Sequence, residues 1–110
     1  MYMNDWKNKE GMMDDFRISS DDLRGAKILL ACYTYEDYNG SAFVLFIRKG
    51  KLYEVNGSHC SCYGLEGQWE PEETTKEALL HRIKKGTLGS DAYEGFFADE
   101  LIRVLKEVTE

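Results

Sequence analysis

Residues 42–56, AFVLFIRKGKLYEVN, decide the fold. An apolar run over 42–48 is followed by Lys49-Gly50 and then by a second run over 51–56. Two β-forming runs separated by a two-residue turn that ends in Gly predict an antiparallel hairpin. Because side chains alternate across a strand, the second run places Tyr53 and Val55 on one face and, on the other, Leu52, Glu54 and Asn56.

A further strand is predicted upstream, over residues 26–35. Its run KILLACYTY at 27–35 is too short for a typical helix and rich in β-forming residues. Both faces are apolar near the middle, as in a central strand. Residues 36–41 are predicted to form a turn, since Asn39-Gly40 favours positive φ. The sequence therefore predicts a three-stranded antiparallel meander with strands at 26–35, 42–48 and 51–56.

Two helices are predicted downstream of this sheet. Thr74 fits the N-cap of the first, with Glu77 completing a capping box, and Gly86 ends that helix. Ser90-Asp91 is expected to cap the second helix, whose apolar stripe consists of Phe97, Leu101, Val104, Leu105 and Val108. The expected fold class is α+β, a meander with the C-terminal helices packed on one face.

The N-terminal residues 1–17 are expected to form a loosely docked arm or a short helix. They are polar with scattered apolar side chains, and Lys7 to Gly11 interrupts any helical stripe. Ser19 to Leu23 is predicted to form a single helical turn that ends at Gly25. With 110 residues, the chain is expected to be one domain over 1–110.

The net charge is −6, and residues 70–110 carry ten acidic and six basic side chains. Phosphate binding requires a concentrated basic surface, so no direct contact with nucleic acid is expected. A protein with a basic surface is the more natural partner, because opposite potentials steer association. The sequence leaves open whether the chain also forms a homo-oligomer.

Cysteine usage and the absence of long apolar runs favour a cytoplasmic protein. The three cysteines are an odd number, and two of them are only two residues apart, which is typical of free thiols in a reducing compartment. No signal-peptide pattern opens the sequence. The longest apolar run, 42–47, is too short to span a membrane, so no membrane association is expected.

Residues 55–69, VNGSHCSCYGLEGQW, form the candidate site. They contain one of two His, two of three Cys and one of two Trp. His59, Cys60 and Cys62 are soft ligands that suit zinc, which prefers four such groups. Cys32 and His81 would have to complete the site. However, only one residue separates Cys60 from Cys62, which is closer than ordinary zinc motifs allow.

Two other interpretations of this loop stay open. Cys60 or Cys62 beside a histidine could act as a thiol nucleophile, although no signature of a catalytic cysteine surrounds them. Alternatively, Tyr63 and Trp69 cover the open face of the sheet and the cysteines lie beneath them. No complete catalytic motif is present, so no catalytic residue is assigned and a non-enzymatic function is favoured.

A binding surface is predicted just after the loop. Glu70, Glu72 and Glu73 follow Tyr63 and Trp69 closely. Tyr and Trp are enriched where interfaces gain most of their affinity, and an acidic rim would steer a positive surface. These five residues are the predicted contacts for a basic partner.

Residues 52–72, LYEVNGSHCSCYGLEGQWEPE, resemble a segment of small uncharacterised proteins of bacteriophage and prophage genomes. The resemblance implies action in the cytoplasm of a host bacterium. Small acidic phage proteins of this size resemble anti-defence factors, including CRISPR inhibitors, that bind a host protein or immune complex. The alternative is a small metal-binding or thiol-dependent protein that uses the loop from His59 to Cys62.

Overall fold

A mixed five-stranded sheet forms the centre of the molecule. The computed structural model describes residues 2–4, 6–36, 39–59, 64–89 and 97–108, and of residues 35, 36, 39 and 59 the backbone alone. The strands lie in the order β1-β2-β3-β4-β5. Their bounds are Tyr2–Asn4 for β1, Ala26–Glu36 for β2, Asn39–Arg48 for β3, Lys51–His59 for β4 and Glu72–Thr74 for β5.

The predicted meander is confirmed, because β2, β3 and β4 pair antiparallel in sequence order. Arg48 pairs with Lys51 across the β3–β4 turn, and Lys49 and Gly50 have φ of 53° and 77°. Two consecutive positive φ values define a type I′ turn, whose twist matches the flanking strands. The two-residue reversal seen in the sequence therefore sets the register of the hairpin.

The sheet is larger than the three strands expected. β1 adds parallel to β2, and β5 adds antiparallel to β4. Each has only three residues, and so short a segment carries too little alternation to be recognised in a sequence. The α+β class is confirmed, and the strand count is corrected from three to five.

The β2–β3 turn is shorter than the predicted one at 36–41. Asn39, Gly40 and Ser41 belong to β3, and Glu36 pairs with Asn39. A Cβ atom at Gly40 would lie 2.5 Å from the backbone oxygen of Thr34. Gly40 is therefore required by the close approach of two strands, not by a turn conformation.

Both faces of the sheet are covered, whereas the sequence analysis placed helices on one face. Helix α1, Lys9–Phe16, packs on the face that includes Ala31, Val44 and Phe46. Helices α2, Lys76–Lys84, and α3, Ala98–Lys106, pack on the opposite face. That second core consists of Leu30, Cys32, Phe43, Leu45, Leu52, Leu79, Leu88, Phe97, Leu101, Leu105 and Val108.

The N-terminal segment contributes to the core, and residues 9–16 of it form the short helix α1. Trp6, Met12 and Phe16 are at most 2% exposed. The Trp6 indole donates a hydrogen bond of 2.7 Å to Asp15 and stacks on Tyr33 with ring centroids 5.1 Å apart. These side chains are far apart in sequence and meet only because β1 pairs with β2.

The helix boundaries differ from the predicted ones by local capping. Thr75, not Thr74, caps α2, and its hydroxyl accepts a hydrogen bond from the backbone N–H of Ala78 at 3.1 Å. Thr74 belongs instead to β5. Helix α3 begins at Ala98 with Phe97 at its N-cap, and the predicted cap, Ser90-Asp91, lies outside the described residues. Among the described residues, no helix is long and apolar enough to cross a membrane.

Leu101→Asp is expected to abolish cooperative folding. Leu101 is fully buried between α3 and the sheet, and burying an unpaired carboxylate costs several kcal/mol against a total stability of about 5–15 kcal/mol. Arg103→Asp is the matched control, because it places the same side chain on the exposed face of α3. Circular dichroism melting curves measure both. An unchanged melting temperature for Leu101→Asp would contradict this packing.

Candidate functional site

One side chain of the candidate loop, that of Gln68, covers part of the edge of β4. β5 pairs only with Leu52 to Glu54. Further along β4, the Gln68 amide accepts a hydrogen bond from the Ser58 N–H at 2.8 Å and donates one to the Ser58 carbonyl at 2.7 Å. It also donates to the Gly64 carbonyl at 2.7 Å. The amide thus replaces the backbone of a neighbouring strand and fixes residues 64–68 against the sheet.

Trp69 packs on the aromatic part of the α1 face. It is half-buried, with its ring edge-on to Phe16 at 5.1 Å and stacked on Phe46 at 5.8 Å between centroids. Leu65 is 2% exposed and packs over Gly57, where a Cβ atom would lie 3.1 Å from the leucine. These contacts agree with the interpretation of the loop as a cover for the sheet. Tyr63 lies outside the described residues.

The predicted acidic residues lie in β5, the edge strand of the sheet, or just before it. Glu72 and Glu73 are exposed in β5, Glu70 is exposed just before Pro71, and Glu77 is exposed on the first turn of α2, the helix that follows β5. We call these four residues the acidic edge. Lys51 lies 3.4 Å from Glu73, with both side chains more than half exposed. An ion pair so exposed contributes little to stability, so Glu73 stays available to an incoming charge.

Some of the proposed metal ligands lie outside the described residues. Cys60 and Cys62 lie outside the described residues, and of His59 the structure describes the backbone, at the end of β4. Cys32 is 1% exposed in the core under α3, while His81 is exposed on α2, so these two do not converge. Within the described ranges, no three His, Cys, Asp or Glu side chains are grouped as metal ligands. Zinc binding by the loop stays a prediction.

A polar cluster that no sequence motif indicated lies on the α2 face. Glu54 is 6% exposed, and its two carboxylate oxygens accept hydrogen bonds of 2.8 and 2.7 Å from one nitrogen, Nη1 of Arg82. The Asn56 side chain also donates to Glu54, at 2.8 Å. Because a buried charge without a partner is costly, Glu54 depends on Arg82, and this pair attaches α2 to β4.

One signal for this cluster was present in the sequence. The alternation of β4 put Glu54 on the same face as the apolar Leu52, where a carboxylate needs a partner. Arg82 could not be paired with it from sequence alone, because the packing angle of α2 decides which helical side chain reaches β4.

Comparisons with known proteins returned no relative for this chain. No family model, no curated protein and no solved structure matches it.

Trp69→Ala is expected to destabilise the free protein by about 2–3 kcal/mol, because a large, half-buried aromatic side chain leaves a cavity beside Phe16 and Phe46. Trp69→Phe is the matched control, since it keeps a ring in the same place and should lose less. Urea unfolding followed by circular dichroism measures both. Equal stability of Trp69→Ala and the wild type would show that Trp69 is not part of the core.

If His59, Cys60 and Cys62 bind zinc, the protein purified without chelator should contain about one equivalent of metal, and a chelator should lower its melting temperature. The Cys60→Ser/Cys62→Ser double variant should lose that metal. Elemental analysis of both proteins decides the question. A zinc content near zero in the wild type removes the metal-dependent interpretation.

Proposed function

We propose that this chain is a non-enzymatic binding protein that uses the acidic edge to engage a basic surface on a protein partner. The observation that carries the proposal is a set of four exposed carboxylates in and next to the edge strand β5. Glu72 and Glu73 lie in the strand, Glu70 lies before it, and Glu77 lies in the first turn of the helix that follows. Charges of one sign on one side of a molecule raise the rate of encounter with an opposite surface.

The local charge balance supports this assignment. Lys51 forms an ion pair with Glu73 of the acidic edge. Lys76, at the start of α2, donates a hydrogen bond of 3.4 Å to the Val108 carbonyl. Lys76 is therefore directed toward the end of α3. The edge keeps a net negative charge for a partner to meet.

Rigid support under the acidic edge favours binding over a merely solubilising role. Trp69 precedes Glu70 and is packed on Phe16 and Phe46, and the Gln68 amide fixes the preceding turn. A surface whose backbone is already ordered loses less entropy when a partner binds. The exposed part of Trp69 would then supply an apolar contact beside the carboxylates, in line with its predicted role.

The resemblance of residues 52–72 to phage and prophage proteins directs the proposal toward a bacterial host. A host protein that handles nucleic acid has a basic surface, and a protein of net charge −6 is suited to cover part of it. We therefore propose a host protein or immune complex as the partner and inhibition of host defence as the outcome.

Glu72→Lys is expected to slow association with the partner by roughly three- to tenfold and to leave dissociation nearly unchanged, because exposed charges act mainly on encounter. The loss should shrink as salt rises and screens the charges. Tagged protein would first capture its partner from a bacterial lysate at low salt. Surface plasmon resonance with the purified partner would then give both rates.

Glu107→Lys is the matched control, since it changes the net charge equally at an exposed site after α3, where a cation is compatible with the helix dipole. Glu72→Gln should fall between the wild type and Glu72→Lys. Equal association rates for Glu72→Lys and Glu107→Lys would assign the effect to net charge alone. That result, or capture of no protein at low salt, would overturn the proposal.

A further inference from the structure

A cavity of about 200 Å³ opens on the α2 face, and none of the four acidic-edge residues lines it. The strands β3 and β4 contribute Ser41, Phe43 and Asn56, and the helical layer contributes Arg82, Leu88 and Phe97. The cavity thus combines four polar side chains, the fourth being Thr87, with an apolar wall. A few placed polar groups in an otherwise apolar concavity are typical of a small-molecule site.

Arg82 is held in place by only part of its guanidinium. Nη1 makes both hydrogen bonds to the buried Glu54, so among the described residues Nε and Nη2 have no hydrogen-bond partner. The Arg82 side chain is 35% exposed and lines the cavity. Glu54 therefore orients a cation whose remaining edge can receive an acceptor from a ligand.

Asn56 offers a hydrogen-bond acceptor where Arg82 offers donors. Its Nδ2 donates to Glu54 at 2.8 Å, which leaves its Oδ1 as an acceptor at the wall of the same cavity. A ligand that accepts from Arg82 and donates to Asn56 would use both groups. A primary or cyclic amide has this pair of functions on one edge, whereas a carboxylate has acceptors only.

The charges of Arg82 and Glu54 favour a ligand that is itself uncharged. The positive charge of Arg82 is already balanced by Glu54 at 2.7 Å. A second carboxylate at the same guanidinium would lie close to Glu54 and repel it. An amide oxygen accepts the same hydrogen bonds without that repulsion.

The apolar wall and the volume select a flat ring. Phe43 and Phe97 stack with centroids 4.8 Å apart and planes 15° apart. Gly89 makes room for the Phe97 ring, because a Cβ atom there would lie 2.8 Å from two of its carbons. An engineered protein cavity of about 150 Å³ accepts benzene, so the present volume fits one six-membered ring with an amide substituent.

We infer that this cavity binds a small, neutral aromatic amide, with the amide between Arg82 and Asn56 and the ring against Phe43 and Phe97. The inference concerns a site separate from the acidic edge, and either can fail without the other.

Benzamide is the probe, titrated into ¹⁵N-labelled full-length protein and followed by two-dimensional NMR. We expect saturable millimolar binding, with shifts centred on the Arg82 Nε–H and on the amides of Ser41, Asn56 and Leu88. Benzoate and benzyl alcohol, which match the ring but not the amide, should bind about tenfold more weakly. Equal binding of benzoate or benzyl alcohol, or shifts centred elsewhere, would overturn the inference, as would no saturable shift.

The Glu54→Leu/Arg82→Met double variant removes the polar anchor as a pair, because replacing both partners by apolar side chains leaves no unpaired buried charge. It should lose benzamide binding by at least about tenfold. Lys84→Met, on the exposed face of the same helix, is the matched control and should bind as the wild type does. If the double variant does not fold, Asn56→Ala serves instead, and unchanged affinity in either variant contradicts the site.

Discussion

The sheet must be covered on both faces, and the rest of the structure depends on that constraint. β2 and β3 carry apolar side chains on both faces of the sheet. A single helical layer would therefore leave one apolar face exposed to water. The C-terminal helices cover one face. The other is covered by α1 and by the loop that contains Leu65 and Trp69. The ends of the chain and the candidate loop thus serve one structural purpose.

The Glu54–Arg82 pair resolves a conflict within that arrangement. Placing α2 over β4 buries a carboxylate, and the helix supplies the cation that makes this burial tolerable. Arg82 also determines how the C-terminal end of α2 is arranged. The Arg82 carbonyl accepts hydrogen bonds from the N–H and the hydroxyl of Thr87. Arg82 therefore attaches α2 to the sheet and also fixes the segment that follows the helix.

Features defined by local sequence could be predicted, and features defined by distant contacts could not. The hairpin around Lys49-Gly50 and the apolar stripe of α3 are recorded in neighbouring residues, and both appear in the structure. β1 and β5 are stable only because longer strands pair with them. The burial of Trp6 likewise depends on a strand pairing that no local pattern indicates.

The same distinction between local and distant contacts applies to the candidate site. The exposed carboxylates of the acidic edge follow from composition, and their position beside Trp69 follows from adjacency in the chain. Arg82 and Glu54 are 28 residues apart, and their meeting depends on the packing angle of a helix. The cavity beside them could not be anticipated for the same reason, since its walls come from separate elements.

The two hydrogen bonds between Gln68 and Ser58 affect how the protein behaves in concentrated solution. A sheet edge with unpaired backbone groups is a template for strands of other molecules and hence for aggregation. Here a single side-chain amide covers part of that edge. Hydrolysis of this amide to a carboxylate during ageing would remove the donors to Ser58 and Gly64 and uncover the strand, so slow chemical damage at one atom could seed assembly of intact molecules.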